Sequence, residues 1–457
     1  VPTIDLLTLE WQARFLADRS DIRAVIGGVG SGKSLICADE LIERAMRYPH
    51  ARHYIIGASH PAMKEGTIPT FLSRLDEHGY TYSLNRQDLS VTITSGPAKG
   101  CRIITWTVAN DRWQKLKGQM IDSAWLDECQ VWDRGQEAYD FIVNRLRPSE
   151  EAQRHHANLE CRLWLSANPP HTTSHWLYRY FVKGAKAPLY QATVFDNVLM
   201  PQRDKYVDRL RSQYAPDLFK IEVMGEWGDI GVGVVYSSFA RASNVAESFV
   251  GVPVEFDPRL PIEWCHDFGV VPRVSLLCQT HKVDAPGYQP EVLVVFDEIT
   301  QSEGNTADQI AEFVNRYPSD VMSALVLYGD PAGQARNSTT GQSDWSMLAW
   351  DERITPYGPT IDRATAPPPI VDRVNGMNAK LCNAKAEVGI VIHPRCEKSI
   401  EDLQSTKYKD GTRVLDHGSP SRGVYRTHWS DALGYLVARK WPLRPYVVAA
   451  PFEPFYS

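Results

Sequence analysis

The sequence predicts an α/β protein in two parts, and three observations predict it. Short apolar runs alternate with helical stretches through the first third, the pattern of a mainly parallel sheet covered on both faces. The first of these runs leads into IGGVGSGKS (26–34), where Gly27, Gly32, Lys33 and Ser34 satisfy the phosphate-binding pattern G-x-x-x-x-G-K-[ST] between a strand and a helix. A composition shift at GEWGDIGVG (225–233) precedes a new set of strands from about residue 260, so a second α/β layer follows the first.

In order, IRAVI (22–26) reads as a buried strand, SLICADELIERAMRY (34–48) as an amphipathic helix and HYIIGA (53–58) as a second strand. A helix near 60–78 precedes two β-like runs, LSVTIT and CRIITWTV. IDSAWLDE (121–128) and CRLWLSANP (161–169) are apolar strands ending in polar residues, as expected where parallel sheets hold ligands at strand carboxyl ends. Residues 170 to about 228 are richer in charge and read as helical. IEWCHDFG, VSLLCQTHK and VLVVFDEIT then predict a three-strand meander, followed by a helix from about 305 and a fourth strand in ALVLYGDP. The stretch 355–370 reads as a loop or hairpin insertion, and the tail from Trp441, rich in Pro and aromatics, as extended and suited to docking on a partner.

A chain of 457 residues exceeds one hydrophobic core and implies two or three domains. The net charge of −6 excludes a protein that coats nucleic acid over its whole surface. It leaves room for a local basic groove, and residues 403–445 carry eight Lys or Arg against three acids. No secretory pattern and no long apolar run is present, which with eight scattered cysteines lacking a C-x-x-C pair predicts reduced thiols in a cytosol. His171 and His175 lack a close Cys or acidic partner in sequence, so a structural or surface role is expected for them rather than zinc.

The chemistry follows from residue types. In the loop, Gly27, Gly30, Ser31 and Gly32 let backbone N–H groups close round phosphates at a helix N-terminus. Lys33 reaches the β- and γ-phosphates, and the Ser34 hydroxyl binds Mg²⁺. Asp127 holds the Mg²⁺ shell and Glu128 activates water, which makes the site a hydrolase of ATP rather than a kinase. Gln12 either reads the adenine edge or is a surface residue of an amphipathic helix. Asp267, Asp330 and Asp431 each end or open an element of the second part. Either they converge, and then repel one another unless two divalent ions join them for phosphodiester hydrolysis, or they are capping and turn residues. Asp297 or Glu298 is a reserve ligand.

Taken in order, the Gln12 region, GGVGSGKS, KGQMIDSAWLDE, LSANPP, the helical stretch ending in GEWGDIG, HDFG, YGDP and HWSDALGYL resemble the large terminase subunits of tailed bacteriophages. The resemblance covers nearly the whole chain. It implies an additional-strand ATPase core over 1–170, a helical lid and linker over 171–235, and an RNase H-like nuclease domain over 236–457. It also implies that Ser166 and Asn168 couple hydrolysis to movement, and that Asp267, Asp330 and Asp431 hold two Mg²⁺ or Mn²⁺ ions. The implied partners are double-stranded concatemeric DNA, a portal protein, a small terminase subunit and a ring of further copies, in the host cytoplasm. One departure concerns the arginine finger: Lys115 and Lys117 precede Gly118 where some members carry arginine, so Arg112, Lys117, Arg145 and Arg147 are the candidates. The alternative reading is a helicase-like ATPase with an appended nuclease in DNA processing.

Overall fold

The computed structural model describes residues 9–229, 233–269, 271–302, 304–319, 324–335, 341–409, 414–419 and 424–443. These gather into two compact units, one of residues 9–207 and 220–229, the other of 208–219 and 233–443. The expected lid and linker, 171–235, is therefore shared between them. The tail beyond 443 lies outside the described residues, as do Arg413, Arg422 and Arg444 of the basic stretch.

The first unit is built on β1 (Ile22–Gly27), β2 (His53–Gly57), β3 (Tyr82–Leu84), β4 (Val91–Ile93), β5 (Arg102–Thr107), β6 (Ser123–Asp127), β7 (Arg162–Ala167) and β8 (Leu189–Ala192). They lie in the order β3-β4-β5-β2-β6-β7-β1-β8. From β5 to β8 all neighbours are parallel, and β3 and β4 add an antiparallel edge. Strand β8 falls in a stretch read as helical. Four residues among charged neighbours carry too short an alternation to be recognised, and pairing with β1 decides their conformation. The helix Lys33–Arg47 buries Ile36, Cys37, Leu41 and Ala45 on one face of the sheet together with Trp125 and Trp164. Each such Ile or Leu contributes roughly 1.5–3 kcal/mol by leaving water. Ala24, Ile26, Tyr54 and Leu126 pack the other face with Trp113, Tyr139 and Trp176.

The second unit opens with a short hairpin, β9 (Ser248–Phe249) and β10 (Val252–Pro253). Its main sheet holds β11 (Ile262–Asp267), β12 (Arg273–Lys282), β13 (Tyr288–Gln301), β14 (Leu325–Gly329), β15 (Thr360–Ile361) and β16 (Val388–Ile392), ordered β15-β14-β11-β12-β13-β16. As expected, β11, β12 and β13 form an antiparallel meander, and β14 returns after the helix Thr306–Arg316 to lie parallel to β11. The 355–370 stretch contributes a short turn of helix and the edge strand β15. The helices Ile370–Leu381 and His428–Lys440 cover one face through Met377, Leu433 and Leu436. Phe313, Trp345 and Leu348 cover the other, with Phe313 stacked on Trp264 at 4.2 Å between ring centres. An antiparallel meander continued by parallel strands, with helices on both faces, is the RNase H-like arrangement. Trp441, the first residue of the expected tail, caps the helix His428–Lys440 and packs on the second unit: its indole N–H donates to Glu291 Oε2 at 2.8 Å, and the Lys380 ammonium lies 3.8 Å from its ring centre.

Candidate functional sites

In the first sheet β6, β7 and β1 are neighbours and parallel, so Asp127, Ser166–Asn168 and the phosphate loop emerge at the same edge. That is why motifs scattered over 140 positions of sequence meet. Gly32, at φ 91°, turns the loop into the helix Lys33–Arg47, a left-handed step that a side chain would strain. Gly30, Gly32, Lys33, Ser34, Glu128 and Asn168 line a cavity of about 280 Å³. Gly27 ends β1 beside Ala192, and Ser31 lies buried in the loop with no partner for its hydroxyl. The Lys33 ammonium donates to the Gly28 carbonyl at 3.3 Å.

Asp127 is buried and does not line the cavity itself. Its carboxylate accepts the Thr67 and Ser166 hydroxyls, each at 2.6 Å, and Ser166 in turn accepts the Trp125 indole N–H at 2.8 Å. Burial raises the Asp127 carboxyl pKa, against those hydroxyls and Lys33. Glu128 is raised as well, first by burial and then by the neighbouring Asp127 charge. A carboxylate with raised proton affinity is tuned toward a base. Glu128 also sits at φ 53°, a left-handed backbone for a non-glycine residue, which costs free energy and tends to accompany function.

Gln12 is not a surface residue. Its side-chain N–H donates to the Gly32 carbonyl at 3.3 Å while its Oε1 accepts the Leu9 N–H at 3.0 Å, so it braces the phosphate loop. Asn168 donates from Nδ2 to Glu222 Oε2 at 2.5 Å, and His171 Nε2 meets the other oxygen of the same carboxylate. Burial alone pushes the Glu222 carboxyl up, but His171, Asn168 and Lys33 outweigh it and hold the group below its ordinary range. Sequence reading misses Glu222, because nothing local sets it apart. Among the finger candidates, Arg112, Lys117 and Arg147 are exposed and Arg145 stacks over Phe141 at 4.6 Å; none lines the cavity.

The second candidate site lies at the carboxyl ends of β11 and β14. His266 pairs with Gly329, so Asp267 and Asp330 leave neighbouring parallel strands at one end of the sheet. Asp431, in the first turn of the helix His428–Lys440, meets them there: Asp267 acts on its charge, and Tyr435 feels both Asp330 and Asp431. Burial, then the charges of Asp267 and Asp402, push Asp431 up to about 7, against the pull of Arg373. The Arg373 guanidinium lies 2.8 Å from Asp431 Oδ1, yet that buried oxygen accepts no aligned hydrogen bond. Asp267 Oδ2 pairs with His428 Nδ1 at 2.7 Å; burial lowers the imidazole, but Asp267 and Asp431 outweigh it and hold it above its ordinary range. Asp330 does cap a turn, accepting the Ala332 N–H at 2.8 Å, so capping and convergence coexist there.

Among the described residues no three His, Cys, Asp or Glu side chains stand close enough as they are to hold a metal. Arg373 and His428 take up part of the mutual repulsion that a cation was expected to relieve. The donor chemistry nonetheless fits a hard divalent ion: three carboxylates, one with an orphaned buried oxygen. Asp402 caps the helix bearing Asp431, accepting the Thr427 and Ser430 N–H groups at 2.6 and 2.8 Å. Asp297 accepts from Arg316 and Tyr317, and Glu298 caps the helix Glu397–Ser405, which leaves neither as a reserve ligand. His428 was legible in principle, since HWSD places a His and an Asp three apart on one helix face.

Residues 19–226 match a family model described as phage terminase large subunit. The PBSX phage terminase large subunit of Bacillus subtilis (strain 168) is 25% identical over an alignment covering 46% of this chain and 50% of the relative. The chain thus spans about half the length of that curated relative. Among solved structures, the large terminase of a thermophilic bacteriophage, in complex with ADP, aligns over 95% of this chain and 99% of its own, with a TM-score of 0.61 at 16% identity. The same thermophilic phage protein in complex with ATP-gamma-S gives 0.60 at 15% identity, over 94% and 99% of the two chains. Residues 19–226 thus match the phage terminase large subunits, and along nearly its whole length the chain shares its fold with a solved large terminase.

Proposed function

We propose that this chain is a viral DNA-packaging motor: it hydrolyses ATP to move double-stranded DNA into a procapsid, and its second site cuts that DNA. The observation that carries the first half is the single cavity at which the phosphate loop, Lys33, Ser34 and Glu128 meet. The nucleotide complexes of the thermophilic phage terminase support it. Lys33 neutralises the β- and γ-phosphates, Glu128 takes a proton from the attacking water, and Ser166 ties the Asp127 carboxylate to β7. Ser34, which lines the cavity, and Asp127 behind it would hold Mg²⁺, which when bound neutralises charge on the phosphates. In the second site Asp267, Asp330 and Asp431 would hold two Mg²⁺ or Mn²⁺ ions, which supply charge neutralisation for phosphodiester hydrolysis. The portal, the small subunit and a ring of copies in the host cytoplasm belong to the same proposal; no helix of the described residues is long and apolar enough to cross a membrane.

The test is Glu128→Gln. The variant should bind ATP and turn it over roughly 10²–10⁴-fold more slowly, the usual contribution of a general base. Turnover near the wild-type rate removes Glu128 from that role.

A further inference from the structure

Arg373 lies buried between the helices Ile370–Leu381 and His428–Lys440 of the second unit. Its guanidinium carbon is 4.6 Å from the Tyr435 ring centre, and one of its nitrogens is 2.8 Å from Asp431 Oδ1. The second helix makes room for it with Gly434, where a Cβ would meet Arg373 Cγ at 2.9 Å and Cδ at 3.0 Å. Glycine inside a helix costs stability relative to alanine, so this helix carries a weak residue where the arginine stem passes. Arginine keeps its proton at any working pH, which makes Arg373 a fixed positive charge beside a carboxylate read as a metal ligand. The contact also shuts one oxygen away. Oδ1 is buried and accepts no aligned hydrogen bond, while the Asp431 side chain as a whole is 15% exposed, so the oxygen left to an ion is Oδ2. Set against Arg373, the three carboxylates keep a net of about two negative charges, whereas two divalent ions bring four positive ones. A proton competing for the same carboxylate is repelled by Arg373 half as strongly as a divalent ion, so proton competition does not reverse the sign.

We propose that Arg373 is a positioning residue of the second site that stands in for a cation: it holds Asp431 with one oxygen turned away, and its fixed charge makes full metal occupancy depend on the phosphodiester of bound DNA. Without DNA the arginine opposes the second ion. With DNA in place the phosphodiester supplies the negative charge that Arg373 has cancelled, so metal and substrate favour each other's binding. The proposal rests on the nuclease reading of Asp267, Asp330 and Asp431. It goes further in giving that site a built-in dependence on its substrate and naming the residue that sets it.

Mn²⁺ binding to the nucleotide-free full chain, followed by electron paramagnetic resonance, tests it, counting only the binding that Asp431→Asn removes. Without DNA, Arg373→Met should bind Mn²⁺ about tenfold more tightly than wild type, and Arg373→Lys, which keeps the charge, should bind as wild type does. In wild type the Mn²⁺ concentration for half-maximal plasmid nicking should lie about tenfold below the DNA-free dissociation constant, and in Arg373→Met that gap should close. Where Arg373→Met does not fold, Arg373→Gln takes its place. Mn²⁺ affinity that is equal or weaker in the neutral variants, whatever their melting temperature, makes Arg373 a packing residue and overturns the proposal. So does an Arg373→Lys variant that binds like Arg373→Met, since charge is then not what matters. A wild type that binds Mn²⁺ at this site without nicking DNA strikes the nuclease reading instead, and the DNA-free affinities still decide Arg373. Binding that Asp431→Asn leaves untouched overturns both.

Discussion

Asp431 shows how one side chain carries two opposed demands. Its carboxyl is pushed up to about 7 from an ordinary value of 3.8, so the folded protein holds a proton there that the unfolded chain releases. A raised folded pKa gives stability that is fully present below about 4 and is lost as pH rises through about 7. The metal-free protein should therefore lose stability across that window, and Asp431→Asn, neutral throughout, should flatten that part of the profile. The same substitution removes the charge that burial opposes more strongly than Arg373 favours, so the metal-free variant should be at least as stable as wild type at neutral pH. Melting temperature from pH 5 to 7, with and without Mn²⁺, checks both: Mn²⁺ should restore stability to wild type at pH 7 and not to the variant. Equal slopes for the two proteins would show that Asp431 does not titrate in this window.

Among elements, the helix Lys33–Arg47 was legible from its apolar spacing, but its polar face was not. Glu40 is buried beneath the sheet, 2.7 Å from Arg23 of β1 and 3.7 Å from Arg162 of β7. Asp39 is likewise buried against Arg74 at 2.8 Å. A helix covered on several sides buries charges that periodicity assigns to water. Glu40→Ala strands the buried Arg23 guanidinium and leaves Arg162 to Glu160 alone, and breaking a buried pair in this way costs about 3–5 kcal/mol. Chemical denaturation should show that loss, and a change within about 0.5 kcal/mol, the usual span of a surface substitution, would mean that water reaches the cluster. The opposite failure is β8, whose four residues became a strand only because β1 offered an edge.

At the scale of the whole molecule, the chain forms two units, each with its own sheet and core. The loop around Lys33 belongs to one and the three aspartates to the other, so each chemistry should survive loss of its counterpart. Lys33→Ala should abolish ATP turnover and leave Mn²⁺-dependent nicking of plasmid DNA largely intact, while Asp267→Asn should do the reverse. Nicking by Asp267→Asn at the wild-type rate would remove that residue from the second site, and nicking lost with Lys33→Ala would mean that the two chemistries are not separate.

The sequence by itself determined the phosphate loop, the strands that carry Asp127 and the Ser166–Asn168 segment, the meander, and the positions of Asp267, Asp330 and Asp431. Each of these is set by neighbours in the chain: glycine where the backbone turns, alternation or continuous apolarity along a strand, a polar residue where a strand stops. Only the tertiary structure decided what those residues touch. Glu222 meets Asn168 across 54 positions and His428 meets Asp267 across 161, contacts set by which strands and helices become neighbours and invisible to any local pattern. Closing a longer loop costs only a slowly growing entropy, so the fold can bring such partners together from almost any distance along the chain.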